Sequence, residues 1–200
     1  ELFDRSVQAE QHTGATDAQM LFNLLSSSDT DAVANNKTLF INCTHASLAG
    51  GHLDLVAPQR VVLEIPPLPA TDSDLIAIHL TSLQSMRRRG FRMAFDYSVL
   101  TRPYESWLAL ASFIKFDLRT LQPDTVASLV RLAQAKSSAQ LIAEKVETQA
   151  QYQQVADLGV GLFQGYWFAK PVMVQGQTVR PAQAHILQLI NLVRKQASTD

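Results

Sequence analysis

The sequence predicts an α/β chain folded as a TIM-like (β/α) barrel that lacks its first strand. Three observations predict it. Six short apolar runs alternate with helix-like stretches and no hairpin signal separates them, the pattern of parallel strands joined by helical crossovers. Each run ends in an acid or an amide: LFIN at Asn42, VVLE at Glu64, FRMAFD at Asp96, FIKFD at Asp117, LIAE at Glu144 and GLFQ at Gln164. No glycine-rich turn follows the first run, as a dinucleotide-binding doubly wound sheet would require. Polar ends on strand after strand are how a barrel builds an active site, whereas an open sheet concentrates its site at one switch point.

The elements follow in order. A strand expected at Leu2–Phe3 precedes a helix-like stretch from Thr16 to Ser26, where Met20, Leu21, Leu24 and Leu25 share a face. A polar, turn-rich stretch leads to strands at Thr38–Cys43 and Arg60–Ile65, the second rich in β-branched residues. Pro66, Pro67 and Pro69 end it, since proline donates nothing to a ladder. Thr71, Asp72 and Asp74 offer N-caps for a helix reaching Arg89, with Leu75, Ile76, Leu80, Leu83 and Met86 at helical spacing and Gly90 as its stop. Arg87, Arg88 and Arg89 read as a solvated helix end favoured by the dipole.

Strands follow at Phe91–Asp96 and Ser112–Asp117. Pro123 and Asp124 open a helix carrying Val126, Leu129, Val130 and Ala133. A strand at Gln140–Ala143, a helix at Thr148–Leu158 closed by Gly159, and a strand at Leu162–Gln164 complete the visible barrel. After Pro181 an amphipathic helix presents Ile186, Leu187, Ile190 and Val193. We therefore expect a barrel domain over residues 1–180, and over 181–200 a helix that docks on it or leads into a further domain. The chain starts at Glu1 inside a motif and reads as a fragment whose missing strand lies upstream.

Composition narrows the partners. With 46% apolar and 18% charged residues the chain is ordinary for a globular domain. A net charge of −1 gives no electrostatic reason to expect duplex nucleic acid. Cys43 is the only cysteine, so an internal disulfide is excluded and a reducing, cytoplasmic setting is expected. No apolar run approaches the roughly 20 residues that span a bilayer, so no membrane partner is expected.

If the barrel closes, Glu1, Asn42, Glu64, Asp96, Asp117 and Glu144 meet at one mouth with Glu147, and Lys115 and Arg5 bring positive charge. Lys115 and Asp117 are two apart on a strand and point the same way. Hard oxygen donors suit Mg²⁺, Mn²⁺ or Ca²⁺, and such a cluster is suited to holding a phosphate ester through metal ions. The five histidines show no ligand spacing and read as surface or capping residues, Cys43 as a packed small hydrophobe, and Trp107, Tyr166 and Trp167 as core or rim aromatics.

These strand ends resemble a family. LIAEKVET (141–148) followed by FQGYWFAKP (163–171) is similar to the signature of EAL domains, the cyclic di-GMP phosphodiesterases. IKFD (114–117) resembles their KxD strand, MAFD (93–96) the start of their DDFG loop, VLEI (62–65) and FIN (40–42) their metal-ligand strands, and ELFDR (1–5) their ExLxR motif with Phe3 for leucine. Lys145 in place of glycine and the helix after Pro181 resemble the subgroup followed by an HDOD domain. The resemblance implies the EAL type of barrel, with one antiparallel strand. It implies Glu1, Asn42, Glu64 and Asp96 as metal ligands. It implies Lys115, Glu144 and Glu147 as the catalytic set, and Arg5, Asp117 and Gln164 as ligand-binding residues. It further implies Mg²⁺ or Mn²⁺, with Ca²⁺ as an inhibitory occupant, and cyclic di-GMP, a protein partner or an adjacent HDOD-like domain as partners.

Three departures bear on activity. Tyr97 stands where the second aspartate of DDFG belongs, and a phenol with a pKa near 10 does not replace a bridging carboxylate. Ser98-Val99-Leu100-Thr101 replaces the rest of that glycine-containing loop, and Pro66-Pro67 removes a second acid after Glu64. The family's first strand, with its ligand-contacting glutamine, is absent. The sequence therefore suggests a degenerate EAL domain with one metal site at most, acting by binding nucleotide or protein. The alternatives are a weak metal-dependent phosphodiesterase and a protein-interaction module with a relic pocket.

Overall fold

The computed structural model describes residues 38–49, 53–54, 56–68 and 73–168. The readings at Leu2–Phe3, 16–26 and 181–200, with Glu1 and Arg5, lie outside the described residues.

Six strands form one sheet: β1 (Leu39–Asn42), β2 (Val61–Ile65), β3 (Arg92–Asp96), β4 (Phe113–Asp117), β5 (Gln140–Glu144) and β6 (Leu162–Gln164). Every neighbouring pair is parallel and the spatial order is the chain order. Sequential order leaves no switch point and sends each crossover over the same face, as in a barrel wall. Each strand lies within a residue or so of its predicted span.

Alternation along the strands separates two faces. Ile41, Val61, Leu63, Ile65, Met93, Phe95, Ile114, Phe116, Leu141 and Ala143 belong to the main core. Helices cover that face: α1 (Ser73–Arg88) with Ile76, Leu83 and Met86, α3 (Pro123–Lys136) with Val126, Val130 and Ala133, and α4 (Gln149–Asp157) with Val155. On the other face Val62, Ala94, Phe113 and Ile142 form a second, smaller core against Phe40. The Phe40 and Phe113 rings meet edge to face with centroids 5.2 Å apart. This apolar layer floors the inner face one strand step below the polar strand ends.

The helix ends carry the expected signals. Gly90 has φ 92° and Gly159 φ 87°, where a Cβ would be strained, and each stops its helix. Thr148 caps α4 in a reciprocal capping box with Gln151. Arg87 and Arg88 are exposed, while Arg89 pairs with Asp54 at 2.6 Å. No helix among the described residues is long and apolar enough to cross a membrane.

The crossovers before β2 and between β3 and β4 differ from the helix-like stretches expected there. Among the described residues, β1 is followed by 3₁₀ turns at Ser47–Ala49 and Pro58–Arg60. β3 runs into 3₁₀ turns at Tyr97–Leu100 and Arg102–Tyr104 and then α2, the four residues Glu105–Leu108. Pro58 and Pro103, lacking an N–H, restrict these segments to short tight turns. Trp107 anchors the second of them: it is buried, and its indole N–H donates to the Ile76 carbonyl at 3.0 Å. Cys43 is buried, and Tyr166 and Trp167 are exposed at the rim.

Candidate functional site

The strand register assembles the predicted residues on the inner face. Asn42 lies opposite Glu64, Asp96 opposite Lys115, Asp117 opposite Glu144, and Glu144 opposite Gln164. Strand parity points these side chains away from the helices, just above the Phe40–Val62–Ala94–Phe113–Ile142 floor. The row read from the sequence is thus one continuous polar rim at the C-terminal edge of the sheet.

Lys115 is its centre. Its ammonium lies 2.8 Å from Glu64 and 2.7 Å from Glu144, so it reaches across β3 to β2 on one side and to the adjacent β5 on the other. Glu64 is buried, and the lysine side chain is only 12% exposed. Burial alone would lower the lysine's pKa, but the two carboxylates outweigh it and hold the ammonium above the ordinary lysine value.

Asp96 faces the same rim but serves a local role. Its Oδ1 accepts from the Ser98 N–H at 3.0 Å and from the Ser98 hydroxyl, capping the 3₁₀ turn that begins at Tyr97. Tyr97 itself is half-buried and packs against the main core. The Tyr97 ring thereby covers apolar surface of that core.

Asp117 is committed as well. Its Oδ2 accepts from Lys145 at 2.6 Å and its Oδ1 from the Arg119 N–H at 2.9 Å. Partial burial pushes its carboxyl upward, but these donors overcome that and leave its pKa below the usual aspartate value. Glu147 lies three residues beyond the end of β5. It is exposed in the turn after β5, where its backbone N–H donates to Gln151 Oε1 at 2.8 Å, so its contribution to the capping geometry comes from the main chain.

The donors Asn42, Glu64 and Asp96 have the hard-oxygen chemistry of a divalent-cation site. Among the described residues no three acids or histidines are gathered as a metal cage, and Lys115 pairs with both Glu64 and Glu144, so that one net negative charge remains on the three. Two participants escaped the sequence reading. In the sequence Lys145 stands only as a lysine in place of glycine, and its partnership with Asp117 depends on the turn geometry. Ser98 two residues after Asp96 is the D-x-S spacing of a local side-chain turn, a signal that was legible.

A one-sided parallel sheet with its polar rim at the strand C-termini defines a TIM-like barrel with a site at the expected face. A profile of the EAL domain matches residues 19–171, and the chain belongs to the EAL domain family. It is 31% identical over 182 residues to the cyclic di-GMP phosphodiesterase CdgJ of Vibrio cholerae, covering 90% of this chain and 40% of that protein. It is 24% identical over 174 residues to YuxH of Bacillus subtilis, covering 83% of this chain and 41% of that one. The chain thus spans about two-fifths of the length of these curated relatives. The crystal structure of B. subtilis YkuI, a protein with an EAL domain in complex with c-di-GMP and calcium, superposes with a TM-score of 0.64 at 19% identity. That match covers 96% of this chain and 54% of YkuI.

Proposed function

We propose that this EAL domain works in cyclic di-GMP signalling as a binding element, with its hydrolytic machinery impaired. The observation that carries this reading is the β3 terminus: Asp96 caps the following turn through Ser98, while Tyr97 packs on the core where a second carboxylate would stand. Asn42, Glu64 and Asp96 are the residues that would hold one Mg²⁺ or Mn²⁺, with Glu1 as a fourth donor, and Ca²⁺ would occupy the same oxygens without supporting turnover. When bound, such an ion supplies Lewis-acid stabilisation of phosphate oxygens. Arg5, Asp117 and Gln164 would face the nucleotide. Lys115, Glu144 and Glu147 are the remnant of the catalytic set, Lys115 serving to hold Glu64 and Glu144 in place. Residues 1–180 would form the barrel domain, and 181–200 a helix that docks on it or connects to an HDOD-like domain or another protein partner in the cytoplasm. The test is titration of the full-length protein with cyclic di-GMP by calorimetry, beside a hydrolysis assay with Mg²⁺ and with Mn²⁺. Saturable binding with turnover far below ordinary enzyme rates is expected; turnover at those rates would overturn the reading, and absent heat would leave the pocket a relic.

A second reading, a weak metal-dependent phosphodiesterase, is favoured by the name of the 31%-identical relative, a cyclic di-GMP phosphodiesterase. Tyr97→Asp separates the two, because restoring a carboxylate raises a slow activity and leaves a pure binding domain unchanged.

A further inference from the structure

Among the described residues Lys145 is the one non-glycine residue with a positive φ, 58°. That conformation is ordinarily left to glycine, because a Cβ crowds the following carbonyl. The neighbouring backbone imposes it. The Val146 N–H donates to the Gln164 carbonyl at 3.0 Å, and the Val146 carbonyl accepts from the Trp167 N–H at 3.1 Å. Gly165 packs so tightly on this segment that a Cβ there would meet the Val146 carbonyl oxygen at 2.1 Å. The turn is held on both sides, and a lysine sits where glycine would be relaxed. Strain kept at such a place points to a use for the side chain.

Its use is visible across the mouth. The Lys145 ammonium donates to Asp117 Oδ2 at 2.6 Å, and beside it the Leu118 N–H donates to the Glu144 carbonyl at 3.1 Å. One ion pair and one backbone bond therefore join the turn after β4 to the turn after β5. The described acids at or beside the mouth are Glu64, Asp96, Asp117, Glu144 and Glu147. Lys115 is enclosed between Glu64 and Glu144, whereas the Lys145 side chain is 46% exposed, so of the two ammoniums Lys145 is the one open to an anion from solvent, beside the exposed Arg119 that also acts on Asp117.

We infer that Lys145 is a positioning residue of the nucleotide mouth: its ammonium braces the two turns, fixes the Asp117 carboxylate, and offsets the acids that an anionic ligand faces. The ligand part rests on the proposed cyclic di-GMP binding; the brace stands apart from it. The test compares the full-length protein with Lys145→Met, Lys145→Gly and Lys145→Arg. Lys145→Gly removes the ammonium while relieving the backbone, so it retains the fold if the methionine variant does not. Hydrogen exchange at the Leu118 amide is expected to quicken about fivefold or more in the Met and Gly variants, because the local opening it reports becomes easier. Cyclic di-GMP affinity is expected to fall about tenfold in both, with Lys145→Arg staying within about threefold of the parent. Unchanged Leu118 exchange in Lys145→Gly overturns the brace, whether or not nucleotide binds. Quickened exchange with unchanged affinity overturns the ligand role, and an arginine variant that behaves like methionine shows that charge is not the agent. If the parent itself binds no nucleotide, the proposed function fails and exchange alone decides the brace.

Discussion

Replacing Lys115 by methionine tests whether the ammonium holds the centre of the rim together. Glu64 and Glu144 reach the same nitrogen at 2.8 and 2.7 Å. Their accepting oxygens are therefore within about 5.5 Å of each other, and without the ammonium they repel by about 3 kcal/mol at an effective dielectric near 20. That matches the roughly 3–5 kcal/mol lost when one partner of a buried pair is removed. Methionine keeps the stem volume, so the packing loss is small. The expected deficit in urea unfolding at pH 8 is about 3 kcal/mol, and in thermal unfolding the midpoint falls by roughly 6–12 °C in a chain of this size. The pH dependence identifies the cause. In the parent, the lysine pKa is raised, so its stabilisation is fully present below about 10.5 and is lost as the pH rises through the still higher native value. Between pH 5 and 8 this group leaves parent stability flat. In the variant, protonation of one carboxylate relieves the repulsion as the pH falls, so the deficit shrinks toward pH 5. Adding Glu64→Gln to Lys115→Met should recover at least half of the loss. A deficit below about 1 kcal/mol at pH 8, or one equal at pH 5 and 8, would refute the bridging role assigned to the ammonium.

Other outcomes follow from the same geometry. Gly165→Ala places a methyl 2.1 Å from the Val146 carbonyl oxygen and should cost more than about 2 kcal/mol in thermal unfolding; a loss under 0.5 kcal/mol would show that the β5 and β6 turns separate easily. Ser98→Ala removes a hydroxyl donor to Asp96 and should lower stability by about 1 kcal/mol while leaving the backbone cap. If that cap is what keeps Asp96 from a cation, Mn²⁺ binding measured by paramagnetic relaxation should tighten in the same variant. Because the Asp117 pKa is lowered, its pairing with Lys145 contributes stability above the unfolded value of about 3.9 and loses it as the pH falls through the lower native value. The difference between parent and Asp117→Asn should therefore vanish in acid and stay constant above about pH 5.

The barrel wall was legible because its strands are short apolar runs with a polar last residue, a pattern set by burial on both faces and independent of distant contacts. Asn42, Glu64, Asp96, Lys115, Asp117, Glu144 and Gln164 could be placed on one rim from strand parity alone. What the residues do once placed was less legible, because electrostatic partnership is decided by neighbours on other strands. Nothing in the FIKFD run says that Lys115 pairs with Glu64, fifty-one positions earlier, as well as with Glu144 on the next strand. Nor does EKVE announce that Lys145 adopts a glycine's backbone and reaches back to Asp117. The sequence places hard oxygen donors suited to a divalent metal at one mouth, with Lys115 and Arg5 as positive charge among them. In the fold Lys115 pairs with two of the acids, Lys145 with a third, and a fourth, Asp96, accepts from Ser98. A divalent ion or an anionic nucleotide must therefore compete with donors the chain already supplies. On the proposed reading, that competition raises the cost of assembling a hydrolytic centre while keeping the charged rim above its apolar floor.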